Sequence, residues 1–187
     1  MYKLIMLIGK AGSGKDTILR EVVKQSPYVH EIVSCTTRPP REGEVDGINY
    51  HFLTGEQFGK KVLQNEMLEA TCFNDWFYGT SIDSLDEDMV NIGVFNPAGV
   101  ESILAYNNID TIVIYVDAND KERLIRQLNR EKDPDVNEVI RRFKADGLDF
   151  DDLDFDYVRL ENNTKEDLRV NTSAVMAFVQ ELKDELY

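Results

Sequence analysis

The sequence predicts an α/β fold in which a central parallel sheet is covered by helices on both faces. Three observations carry this expectation. Four apolar runs, at 3–8, 66–72, 90–95 and 111–116, have the length of buried strands. Helical patterns lie between and after them, at 15–25, 97–106, 119–130, 135–146 and 164–186. Strands that alternate with helices in this way pair in parallel, since each crossover helix returns the chain to the same end of the sheet. Finally, the first run empties into a glycine-rich segment and then a helix, the start of a βα unit.

That junction reads Gly9-Lys10-Ala11-Gly12-Ser13-Gly14-Lys15-Asp16-Thr17. It is a phosphate-binding loop of the form GxxxxGK, placed between a buried strand and an apolar helix carrying Ile18, Leu19, Val22 and Val23. Glycines let the backbone curl so that successive N–H groups converge on one anion. The helix behind aims its positive dipole end at the same point. Gly9, Ala11, Gly12, Ser13, Gly14, Lys15, Asp16 and Thr17 are therefore the expected contacts for the phosphates of a nucleoside triphosphate. Lys15 reaches the outer phosphates. The motif wants Ser or Thr after the lysine to hold magnesium, and this chain has Asp16 there. Asp16 and Thr17 are both candidate metal ligands, though one residue turns Thr17 about 100° around the helix. Asp16 also suits a simple helix start, where an acid is welcome.

Further along, Thr54 and Gln57 form a capping box that opens a helix. Asp133-Pro134 reads as an N-cap followed by proline at the first helical position. The stretch 146–156 alternates acids with apolar residues and reads as a solvated loop with a few anchoring side chains. Its spacing fits no calcium loop. No internal repeat or low-complexity linker interrupts the 187 residues, a length that suits one domain.

The net charge of −14 argues against nonspecific nucleic-acid binding and against anionic membranes. An anionic substrate has to be caught by a local basic pocket against that field. Cys35 and Cys72 are too few for a disulfide framework and lack metal spacing, as expected of a reduced, cytoplasmic protein. The first apolar run is too short for a signal peptide, and no run approaches a membrane span.

Residues 36–52 supply that pocket. Arg38 and Arg41 are two guanidinium forks on a proline-stiffened loop, which loses little entropy on binding. Paired arginines suit bidentate contact with a phosphate, and Tyr50 adds a hydroxyl donor. The same composition also suits a solvated surface turn.

This segment closely resembles the guanylate kinase family, at Thr36, Thr37, Arg38, Arg41, Glu44, Gly47, Tyr50 and Phe52. Leu68-Glu69-Ala70 and Tyr78-Gly79-Thr80 resemble the family's second substrate-binding stretch. Residues 155–158 followed by Asn162 resemble its final strand and turn. The resemblance spans the chain and implies a three-layer P-loop kinase fold. It implies a core of 1–32, 82–122 and 148–187, a GMP-binding region at 33–81 and a helical lid at 123–147. It further implies an enzyme moving the γ-phosphoryl group of ATP, with Mg²⁺ as cofactor, to GMP or dGMP.

The resemblance also implies roles. Arg38, Arg41, Tyr50 and Tyr78 would hold the GMP phosphate, while Ser34, Glu69, Thr80 and Asn96 would read the base. Chemistry supports Glu69, because guanine presents N1–H and N2–H as adjacent donors and a carboxylate accepts both. Lys15, Arg130 and Arg141 would be catalytic. The family's remaining lid arginine falls on Gln127, with Arg126 one place earlier. Val94 and Asn96 stand where the family pattern has aspartates. Gly14-Lys15-Asp16 and Asn96 also resemble a sister family, ribose 1,5-bisphosphate phosphokinase. A non-catalytic guanylate-kinase-like binding domain is the third reading, and the intact loop with Lys15 argues against it.

Overall fold

The computed structural model describes residues 1–40, 43–73, 75–130 and 134–186, without the side chain of Phe73. Its core is a five-stranded, wholly parallel sheet. The strands are β1 (Tyr2–Ile8), β2 (Val29–Glu31), β7 (Val90–Val94), β8 (Ile109–Asp117) and β9 (Val158–Glu161), in the order β2-β7-β1-β8-β9. Strand β1 is central, and both its faces are covered. Ile5 and Leu7 pack against α1 (Lys15–Gln25) and α6 (Lys165–Asp184), through Ile18, Leu19, Val22, Val175, Val179 and Leu182. Leu4, Met6 and Ile8 point the other way, toward Val100 and Ile103 of α3 (Pro97–Leu104). A strand buried on both faces has no polar side to show, which is why 4–8, after Lys3, reads as an unbroken apolar run.

A second, four-stranded sheet stands apart, ordered β4-β3-β6-β5. Its members are β3 (Cys35–Thr36), β4 (His51–Phe52), β5 (Met67–Phe73) and β6 (Trp76–Ser81). Helix α2 (Gly55–Leu63) lays Phe58 over its small core of Cys35 and Met67. The Thr54–Gln57 capping box forms as expected.

The run 66–72 therefore does not belong to the parallel sheet, contrary to expectation. It is β5, antiparallel to β6. The apolar pattern misled because the strand serves two cores. Met67 joins the second sheet's cluster, whereas Leu68 joins the cluster around β1 and α3. The final strand also begins later than expected, at Val158 rather than at Phe155, and ends just before Asn162.

Two more elements follow β8: α4 (Asp120–Leu128) and α5 (Val136–Asp149). The cap of α5 is Asp135, whose carboxylate accepts from the N–H groups of Asn137 (3.0 Å) and Glu138 (3.1 Å). Pro134 thus precedes the cap rather than following it, and Asp133 lies outside the described residues. Helix α5 also runs three residues past its expected end. Beyond it, Phe150, Leu153 and Phe155 pack against the β1–α3 core, the anchors expected of that acid-rich stretch. No helix among the described residues is long and apolar enough to cross a membrane.

Candidate active site

The site lies at the carboxyl ends of the parallel strands, where open α/β sheets bind their ligands. Strand β1 ends at Ile8 and α1 begins at Lys15, so the connecting loop is short. Gly12 and Gly14 adopt φ of 80° and 96°, a region costly for other residues. Space forbids a side chain as well. A Cβ on Gly12 would lie 2.5 Å from the Arg123 carbonyl oxygen, and one on Gly14 would lie 2.3 Å from Asn162 Nδ2.

The loop's carbonyls are pulled to one side. Ala11 O accepts from Arg123 Nε (3.1 Å) and Gln127 Nε2 (3.2 Å). Gly12 O accepts from Arg126 (3.2 Å). Ser13 O accepts from Arg126 (3.1 Å) and from Asn162 Nδ2 (2.7 Å). With those carbonyls committed, the orphan N–H groups at the start of α1 face the open side, where the helix dipole is positive. Arg126 is thus a strut behind the loop, which also binds Asn163 O at 3.0 Å. Sequence spacing alone gave no sign of that. Ser13 Oγ is fully buried and has no hydrogen-bond partner among the described residues. It is an unmet polar atom at the point where the loop curls.

Lys15 is largely covered, and its Nζ stands 3.9 Å from Asp16 Oδ2. The Asp16 carboxylate is mostly exposed. Its charge acts across the cleft on Tyr50, whose hydroxyl pKa is raised mainly by burial and then by Asp16. Loop and second sheet therefore face one another.

On that second wall Arg38 is buried and already organised. It donates to Glu44 Oε1 (2.9 Å) and to the Pro39 carbonyl (2.7 Å). Its guanidinium lies over the rings of Tyr50 (5.5 Å) and Phe52 (5.7 Å). The Tyr50 and Tyr78 rings meet edge to face at 6.1 Å. Arg41 lies outside the described residues.

Deeper in, a polar cluster joins the two sheets. Glu69 of β5 accepts from Thr80 Oγ1 of β6 at 2.8 Å, and Ser34 Oγ stands 3.5 Å from the same hydroxyl. Asn96 caps α3, with Oδ1 accepting from Gly99 N at 2.7 Å. Its Nδ2 donates to Thr71 Oγ1 at 2.9 Å. Gly99 is the meeting point, since a Cβ there would lie 3.2 Å from Asn96 Oδ1 and 3.3 Å from Glu69 Oε2. Burial pushes the Glu69 carboxyl up to about 7, against the Thr80 hydrogen bond, which favours the ionised form. Thr71 and Gly99 escaped sequence reasoning, because neither residue type signals a site.

The remaining predicted residues sit elsewhere. Arg130 is exposed just beyond the end of α4. Arg141 makes a two-pronged contact with Glu138 on its own helix (2.7 and 2.9 Å). Arg141, with Arg142 adding to it, holds the Glu138 carboxyl down at about 2. Thr17 is half-buried in the first turn of α1. Among the described residues no group of three or more His, Cys, Asp or Glu gathers to hold a metal.

A glycine loop of the phosphate-binding form, opposite a buried arginine and a buried carboxylate, is the arrangement of a phosphate-loop phosphotransferase. The chain belongs to the guanylate kinase family, whose model matches residues 1–177, and is thus a nucleoside monophosphate kinase. It is 34% identical to a guanylate kinase of Thermotoga maritima over 183 residues, covering 92% of this chain and 86% of that protein. It is 27% identical to one of Helicobacter hepaticus, covering 96% of this chain and 90% of that one. A match to the Gloeobacter violaceus guanylate kinase, at 46%, is confined to 80 residues, 43% of this chain and 39% of that protein. The crystal structure of guanylate kinase from Anaplasma phagocytophilum superposes with a TM-score of 0.70 over 97% of this chain and 86% of that one. At 18% identity this likeness speaks for the fold alone. The expected α/β fold and family are borne out, and the ribose 1,5-bisphosphate phosphokinase reading is not favoured.

Proposed function

We propose that the chain transfers the γ-phosphoryl group of MgATP to the phosphate of GMP or dGMP, giving ADP and GDP or dGDP. The observation that carries the reading is Glu69, a carboxylate buried beside Thr80 and Asn96, in a cleft it shares with the phosphate loop. The loop from Gly9 to Thr17 and the Lys15 ammonium take the ATP phosphates, through N–H groups other than those of Ala11, Ser13 and Thr17, which are already bonded to Asp146, Lys10 O and Gly14 O. Arg38, Arg41, Tyr50 and Tyr78 take the phosphate of GMP. Glu69, with Ser34, Thr80 and Asn96, reads the guanine edge. Adenine presents an acceptor at N1 and would leave the buried carboxylate facing a lone pair, so AMP is rejected. Little covalent work falls to the protein. Positioning and charge neutralisation at the transferring group carry the catalysis, with Lys15 as the cation at the loop and Arg130 and Arg141, which stand away from it in this structure, as cations that closure of the lid would bring in. A cytoplasmic location fits both nucleotide substrates.

The residues at the loop fit a magnesium ion that travels with ATP. Such an ion takes most of its oxygens from phosphates and water, so one protein ligand suffices. Asp16 offers a hard, exposed carboxylate beside the loop, whereas Val94 offers nothing and Asn96 only a neutral, already engaged oxygen. An ion held there by Asp16 would supply neutralisation of phosphate charge. Asp16→Asn is accordingly expected to lower activity about tenfold or more at limiting magnesium and far less at saturation. A magnesium titration of initial rates checks this. Equal losses at every concentration would assign Asp16 to capping α1 instead.

The direct test is a coupled assay with ATP against GMP, dGMP, AMP and ribose 1,5-bisphosphate. GMP or dGMP is expected to turn over several orders of magnitude better than AMP. Turnover of the ribose bisphosphate alone would overturn the proposal.

A further inference from the structure

The phosphate loop is gripped from behind by a closed ring of hydrogen bonds whose acidic member no motif announces. Asp146, on the last turns of α5, accepts from the backbone N–H of Ala11 at 2.7 Å. The same oxygen, Oδ2, accepts from Arg123 at 2.7 Å. Arg123 Nε in turn donates to the Ala11 carbonyl at 3.1 Å. Both polar groups that flank one loop residue are thereby held by one ion pair. Arg123 is 2% exposed and the largest fully buried side chain among the described residues. Asp120 takes another arm of its fork at 2.8 Å, and the Phe143 ring lies under the guanidinium at 4.5 Å. The backbone of Arg123 also occupies the space where a Gly12 side chain would stand.

Stability alone is a weak reason for such a pair, because desolvating two charges offsets most of their attraction. Direction is a better one. A planar guanidinium and a carboxylate fix the orientation of a peptide group in a way that apolar packing does not. The orientation of the Ala11 peptide sets the entry of the chain into Gly12, Ser13 and Gly14. We infer that Asp146 and Arg123 are positioning residues for ATP, holding the Ala11 peptide so that the phosphate loop keeps its anion-accepting shape before nucleotide arrives. Neither side chain touches substrate; both act through the loop backbone. The inference rests on the ATP site proposed above.

The test measures binding of ATP and of GMP separately, by calorimetry on the intact chain, alongside thermal melting. Asp146→Ala is expected to weaken ATP binding tenfold or more while GMP binding stays within twofold. Asp146→Asn keeps the shape and an acceptor for the Ala11 N–H but strips the charge opposite Arg123. It is expected to give a smaller loss of the same kind and guards against a failure of the alanine variant to fold. A parallel fall of both affinities with melting temperature would show a merely structural pair and overturn the inference. Unchanged ATP binding in both variants would overturn it too. A native chain that binds ATP yet phosphorylates neither GMP nor dGMP would sink the proposed function while leaving this comparison intact.

Discussion

Lys15→Ala is expected to lower turnover by about three orders of magnitude while GMP binding stays within about twofold. Lys15 stands where the loop passes into α1, and it is largely covered by protein. In such a screened setting a positive charge aimed at developing negative charge is worth far more than in water, and one preorganised donor carries about 10²–10³ in rate. A full positive charge lies at or beyond the top of that range. The Arg38 pocket is on the opposite wall, held by Glu44, Tyr50 and Phe52. The two effects should therefore separate cleanly. Steady-state kinetics with both substrates varied checks this. A Lys15 variant with near-native turnover would dismiss the loop mechanism and restore the binding-domain reading.

Glu69→Gln is expected to harm recognition and help stability, and pH tells the two apart. The substitution trades an acceptor pair for one acceptor and one donor, so a guanine N–H loses its partner. A loss of about 1–3 kcal/mol in GMP binding follows, the worth of one charged hydrogen bond. Stability moves the other way. The folded carboxyl titrates at about 7, above its ordinary value, because burial disfavours the charge. Between those two values the folded state binds more protons than the unfolded chain. Native stability therefore falls as pH rises through that window, and the penalty is fully present above pH 7. Glutamine carries no charge to desolvate. Its stability should exceed the native one at pH 8 by on the order of 3 kcal/mol, at about 1.4 kcal/mol per pKa unit, and match it near pH 4, as melting at the two pH values reads out. For the native chain, GMP affinity should weaken as pH drops below about 7, where the free site takes up a proton. Flat pH dependence of both quantities would place Glu69 in an ordinary solvated setting.

Much of this arrangement was legible in the residues. The loop announced itself because its spacing is a backbone requirement, and the structure shows the requirement as contacts behind Gly12 and Gly14. Strands β1, β7 and β8 were readable because burial leaves them mostly apolar, with Asn91 of β7 a buried exception whose amide bonds the Lys3 and Asp86 carbonyls. What stayed hidden had little or no periodicity to show. Strands β3 and β4 have two residues each, too few for any pattern. Strand β6 mixes Gly79, Thr80 and Ser81 into a short run, and β5 served two cores and so imitated a central strand. The struts behind the loop were invisible for another reason. Arg123, Arg126 and Asp146 look like helix-surface charge in sequence, and only the packing of α4 and α5 turns them inward.

Those struts are also remote along the chain. The donors to the loop's carbonyls lie from 112 to 149 positions downstream of their acceptors. At about 5–20 residues per second, a ribosome releases Asn162 roughly 7–30 s after Ser13. Throughout that interval the nascent chain displays the glycine motif without the frame that shapes it. Nucleotide binds the finished fold, so ATP lends its mass-action stabilisation only once β9 has joined the edge of the sheet. Protection from proteolysis by nucleotide then becomes a marker of completed synthesis, and truncations ending before Asn162 should gain none.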